Sequence, residues 1–95
     1  MKEISGQFEF DSKDKIYKDH FPGNPIVPGT LIVRSFIRVL SKHFSKADFE
    51  IQKFRFKKFL KPARYDYSIV ISNRTAKCAI IHNNKQLVSG KVKWN

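Results

Sequence analysis

Apolar and polar residues alternate from Ile4 to Phe10, with Ile4, Gly6, Phe8 and Phe10 on one face and Ser5, Gln7 and Glu9 on the other. A period of two predicts a half-buried strand. Asp11 to Asp14 reads as a polar turn and Lys15 to Tyr17 as a short extended piece. Phe21 to Pro28 must be irregular, because Pro22, Pro25 and Pro28 each remove a backbone donor and restrict the preceding residue. The period then changes. Val33, Phe36, Ile37, Leu40 and Phe44 recur at i, i+3, i+4, i+7 and i+11, the spacing of one helical face. Leu31, Ile32 and Val39 broaden that stripe, so a helix starting near Pro28-Gly29-Thr30 is apolar on most sides and predicts an element wrapped by others. Lys42, His43 and Lys46 collect at its end, where positive charge suits the helix dipole.

Beyond a connection at Ser45 to Asp48, the chain reads as sheet. Phe49 to Phe59 is rich in Phe, and its inward phase slips between Ile51 and Phe54, which predicts a bulge. Lys61-Pro62-Ala63 forms a corner. Tyr65, Tyr67, Ile69 and Ile71 share one strand face, and Cys78 and Ile80 share a phase within Ala76 to His82. Asn83-Asn84 suits a tight hairpin, because Asn tolerates positive φ. Val88, Gly90, Val92 and Trp94 then run in phase along the closing strand. One long apolar helix and about five strands in antiparallel hairpins predict an α+β fold with a curved sheet curled around the helix.

Ninety-five residues predict a single domain spanning 1–95, small enough that a shared interface would add to its stability. Nine phenylalanines, three tyrosines and one tryptophan argue against disorder. No apolar stretch approaches membrane-spanning length, and MKEISGQFEF lacks the apolar core of a signal peptide. Cys78 is the sole cysteine and cannot form an internal bridge, so a reducing, cytoplasmic setting is expected. A net charge of +11 produces a field that attracts polyanions. Nucleic acid, an acidic membrane surface and an acidic carrier protein all qualify, and solubility alone is the plainer account.

The chemistry concentrates between Asp19 and Leu40, where a histidine and two Pro-Gly corners lead directly into the apolar helix. His20-Phe21-Pro22-Gly23, Pro25, Pro28-Gly29 and Leu31 resemble the signature of the hotdog-fold beta-hydroxyacyl-(acyl-carrier-protein) dehydratases of fatty-acid synthesis. The segment Lys53 to Pro62, followed by Asp66, is similar to that family's strand after the helix, and the likeness spans roughly residues 5 to 94. The resemblance implies a hotdog fold, the helix surrounded by the sheet, and two subunits paired edge to edge with sites at their interface. It also implies a substrate delivered as a thioester on the phosphopantetheine arm of an acyl carrier protein, and no cofactor.

On that resemblance His20 is the base that removes the proton alpha to the thioester carbonyl, a role suited to imidazole at neutral pH. Gly29 gives its N–H to the thioester oxygen, where the helix start stabilises an enolate-like charge. Phe21, Pro28, Thr30 and Arg34 join it as substrate-binding positions. The family's acid, fourteen residues after the histidine, falls on Arg34. Arginine stays protonated and is a very poor acid, so the half-site that expels water is missing from this chain. A homodimer or a heterodimer with a related hotdog subunit is expected; the departure speaks against ordinary dehydration by a homodimer, and a heterodimer is one way to restore the acid. A non-catalytic subunit that binds acyl carrier is the second reading.

Plainer roles exist for most of these residues. His20 could cap its Pro-Gly loop, and Asp19, adjacent in an extended segment, points away from the same cavity. Arg34 could face solvent at a reshaped cavity mouth or bind an anion such as a carboxylated acyl chain or the pantetheine phosphate. Arg38, four residues on, shares its helical face. Ser35 lacks a plausible base, and His43 and His82 read as exposed polar residues. Together with Cys78 they match no metal-ligand spacing, so no metal is expected. The Lys53 to Phe59 run could be a nucleic-acid platform with stacking rings. Alternation favours a strand with Phe54 and Phe56 inward and Lys53, Arg55 and Lys57 outward.

Overall fold

The computed structural model describes residues 2–15 and 25–95. The expectations for His20, for Phe21 and for most of the Lys15 to Tyr17 piece lie outside the described residues. Five strands and one helix follow in the order β1 (Lys2–Glu9), α1 (Gly29–His43), β2 (Phe49–Phe56), β3 (Arg64–Ser72), β4 (Thr75–His82) and β5 (Lys85–Trp94). The strands form one antiparallel sheet ordered β1-β3-β4-β5-β2, which leaves β1 and β2 as its edges. This is the predicted α+β architecture.

Two tight turns hold the centre of the sheet. Asn83 and Asn84 take positive φ, 52° and 62°, as the β4–β5 hairpin requires. The β3–β4 hairpin does the same at Asn73 and Arg74, with φ of 48° and 58°. An arginine gives no turn signal, so the sequence reading passed over that corner. The slip predicted in β2 is present: its pairing with β5 shifts between Ile51 and Lys53. β2 ends at Phe56, three residues before the predicted limit, and the Phe59 side chain is 83% exposed.

Helix α1 lies against the sheet through Ile32, Phe36 and Leu40, all fully buried. That stripe is rotated from the predicted Val33–Phe36–Ile37–Leu40–Phe44 face. Val33 and Ile37 are only half-buried because they look toward the unpaired β2 edge, where no strand continues the cover. Phe36 packs edge-on against Phe8 at 5.0 Å and Tyr67 at 6.2 Å, and tilted against Phe54 at 6.0 Å. Phe8 and Tyr67 stack at 4.2 Å on neighbouring strands. These pairings add about 0.5–1.5 kcal/mol each beyond area burial.

Backbone bonds pin the segments flanking the helix. Val27 N–H donates to the Leu60 carbonyl at 2.8 Å, and Phe10 N–H to the Ala63 carbonyl at 2.9 Å. The Tyr65 hydroxyl donates to the Lys61 carbonyl at 2.7 Å, and burial raises its pKa above the ordinary phenol value.

Gly90 on β5 exists for closeness, since a Cβ there would overlap the Phe54 ring. Gly90→Ala should therefore cost about 1–3 kcal/mol, the usual range for overpacking. In urea unfolding, the double variant with Phe54→Ala should lose less than the sum of the two single losses. Strictly additive losses would contradict the contact. Burial also pushes the Cys78 thiol from 9.0 up to about 12. The unfolded thiol deprotonates first, so stability should fall as pH rises from about 9 toward 12, with no Cys78 contribution to the slope below that window. Unfolding titrations of the wild type and Cys78→Ala should diverge only above pH 9 or so, and native Cys78 should resist iodoacetamide at neutral pH.

Candidate functional site

The first turn of α1 is built to present free donors. Pro28 is the N-cap, with extended backbone and no capping side chain. Its carbonyl accepts from Leu31 N–H at 3.0 Å and Ile32 N–H at 3.2 Å. Gly29 and Thr30 precede any possible intrahelical acceptor, and among the described residues their N–H groups have no partner. No acidic side chain in that turn competes for the positive end of the helix.

The same turn lines a groove of about 740 Å³ between α1 and the β2 edge, bounded by Gly29, Thr30, Val33, Arg34, Ile37, Ile51, Phe54 and Phe56. Its walls are almost wholly apolar. Gly29 is needed for closeness here too, since a Cβ would stand 3.1 Å from the tip of the Phe56 ring. Phe54 and Phe56 lie with their ring centres 6.4 Å apart on the helix side of the sheet. The expected inward phase is thus observed, and the two rings do not form an outward stacking platform. Ile51 and Phe56 nevertheless stay 53% and 42% exposed at the open edge.

Three of the expected binding positions, Gly29, Thr30 and Arg34, meet in this one groove. Pro28 is half-buried as the N-cap just before it. His20 and Phe21 fall outside the described residues. Arg34 is exposed at the groove rim and has no ion pair among the described residues. Arg38 shares its exposed stripe but reaches the other flank of the helix. It lines a second groove of about 440 Å³ beside β1, with Ser35, Lys42, Asp11 and Asp14. Ser35 Oγ donates to the Leu31 carbonyl at 2.9 Å, a bond internal to the helix.

Ile51 and Phe56 were not singled out as site residues from sequence. Their signal was the bulge in β2, which turns an apolar pair toward the helix start. The described residues include no helix long and apolar enough to cross a membrane.

Comparison with known proteins agrees with this arrangement. Residues 1–91 match a family model described as ApeI-like, ApeI dehydratase. The 3-hydroxyacyl-(acyl-carrier-protein) dehydratase FabZ of Caldicellulosiruptor saccharolyticus is 34% identical over 70 residues, 64% of this chain and 50% of that protein. The chain thus spans about half the length of that curated relative. Among solved structures, the dehydratase heterocomplex ApeI:P from Xenorhabdus doucetiae superposes with a TM-score of 0.79 at 19% identity, covering 97% of this chain and 86% of that one. An N-terminal dehydratase from the difficidin assembly line gives 0.78 at 10% identity, covering 98% and 38%. At those identities the superpositions establish the hotdog fold alone, while the family match covers nearly every residue: the chain belongs to the ApeI-like dehydratases.

Proposed function

We propose that this chain is the proton-abstracting half of a partner-dependent dehydratase acting on 3-hydroxyacyl thioesters carried by an acyl carrier protein in the cytoplasm. The observation that carries the reading is the first turn of α1, where Gly29 and Thr30 have amides without a partner among the described residues and line an apolar groove with a cation at its rim. Such a groove suits an acyl chain, and the amides suit the oxygen of its thioester. Phe21 and Pro28 would flank the entering thioester. Arg34 would hold an anionic group, the pantetheine phosphate or a carboxylated acyl end, at the mouth.

In this reaction an imidazole nitrogen of His20 takes the alpha proton. The electron pair of that C–H bond forms the Cα–Cβ double bond through an enolate held at Gly29. The Cβ–O bond then breaks, and the oxygen leaves as water once an acid supplies a proton. That acid has no counterpart at Arg34, so a second subunit must bring it. The ApeI:P heterocomplex is a precedent for pairing within this fold. The second reading, a subunit that binds acyl carrier without chemistry, draws its support from the same arginine.

The first step can be observed without the acid. In deuterium oxide the wild type should exchange the alpha proton of a 3-hydroxyacyl-pantetheine thioester while releasing little enoyl product. His20→Ala should exchange at least about 100-fold more slowly, the usual contribution of a positioned base. Exchange no faster than buffer, read by mass spectrometry, would leave the binding-only reading in its place.

A further inference from the structure

Cross-strand register places three lysines directly opposite one another on adjacent strands. Lys77 of β4 faces Lys91 of β5, and Lys91 faces Lys53 of β2. The same lateral row continues through Val70 of β3 to Glu3 of β1. Directly opposed residues point to the same face of a sheet, and strands are about 4.8 Å apart, so the lysine stems stand within about 10 Å of each other. With Arg55 they surround a shallow depression of about 590 Å³ on the face away from the helix. Among the described residues none of the four has an ion pair. One row along, the face is neutralised instead, where Lys93 meets its opposed Glu50 at 3.4 Å.

Like charges directly opposed destabilise a sheet. This row runs uncompensated to the β2 edge and stops there, beside the exposed Ile51 and Phe56. From that geometry we propose that the β2 edge rejects a second copy of this chain and accepts a related hotdog subunit whose own edge strand carries carboxylates on its outer face. The inference rests on the partner-dependent reading above and names the partner's chemistry.

Symmetry supplies the reason. Pairing β2 with itself about a two-fold axis keeps Phe54 and Phe56 on the shared inner face only in a few registers. Centring on Phe54 sets Lys53 against Arg55. A centre at Arg55 opposes it to its own copy and Lys53 to Lys57, while a centre at Phe56 sets Arg55 against Lys57. Each of these three registers opposes cation to cation; a centre between Gln52 and Lys53 would set Glu50 against Arg55, but only by stacking both bulges on the axis and drawing Glu50 from its Lys93 partner. An acidic edge in the same place would end the lysine row with opposite charge, cover the open apolar side chains and steer encounter. A nucleic acid would satisfy the cations and leave the apolar edge uncovered.

Charge reversal on the exposed outer face turns the chain into a stand-in for that partner. Lys53 and Arg55 are both exposed, so the double variant Lys53→Glu/Arg55→Glu should keep the wild-type circular dichroism. By sedimentation equilibrium at low salt, wild type alone and the variant alone should stay monomeric. Their equimolar mixture should form a one-to-one dimer at least about tenfold tighter than either self-association, weakening as salt is added. A wild-type dimer as tight as the mixed one, or a mixture that stays monomeric, would overturn the proposal. No turnover is read, so the outcome is independent of whether His20 acts as a base.

Discussion

Phe36 sets the geometry on which the rest of the molecule depends. Its ring is wholly buried where α1 crosses the sheet, meeting Phe8 and Tyr67 from the β1–β3 side and Phe54 from β2. Fixing that ring fixes the rotation of the helix. Ile32 and Leu40, one turn on either side, then face the core, and Val33 and Ile37 are left facing β2. The same rotation puts Thr30, Arg34 and Arg38 on the solvent stripe and brings the Gly29 end of the helix against Phe56. An apolar groove bounded by the first turn of the helix follows from one packing contact, and so does an arginine at its rim.

The two edges of the sheet differ in charge. The β1 edge carries Glu3 and Glu9, engaged with Ser68 and Arg64 through exposed contacts that are worth little in stability. The β2 edge carries Lys53 and Arg55 outward and unshielded apolar rings inward. A free edge is ordinarily an aggregation hazard, and charged residues are the usual protection. On the proposed pairing one device serves two ends: cations that discourage self-pairing also set the charge of an acceptable neighbour. The departure at Arg34 and the row at Lys53, Lys91 and Lys77 are then consistent. Both put cations with no ion pair among the described residues at the edge where a second subunit would join, since the one carboxylate of β2, Glu50, is already paired with Lys93.

Much of the fold was legible in the alternation of β1, β3, β4 and β5 and in the Asn83-Asn84 turn. The bulge in β2 was legible too, because Ile51 and Phe54 share a face only if one residue is extra. The helix was legible in extent but not in rotation, since its apolar stripe is broad enough to permit several buried faces, and Phe36 alone settles among them. Asn73-Arg74 was hidden because positive φ at an arginine is imposed by the strands it joins. Of the residues singled out around the motif from His20 to Leu31, Gly29, Thr30 and Arg34 share a groove, while His20 and Phe21 lie outside the described residues. Ile51 and Phe56 escaped notice because their role comes from an edge, and sequence does not say which strand is last. The lysine row was equally hidden: three cations far apart in the chain become neighbours only through register.

The central claim is that the start of α1 receives the activated carbonyl, with its acyl chain along Val33 and Ile37. Titrating isotopically labelled protein with a non-reactive acyl-pantetheine amide tests this most directly by nuclear magnetic resonance. The account predicts that the Gly29 and Thr30 amide signals move first and furthest, together with the Val33 and Ile37 methyls. Shifts confined to the outer sheet face around Lys77 and Lys91, with the Gly29 amide unmoved, would contradict it.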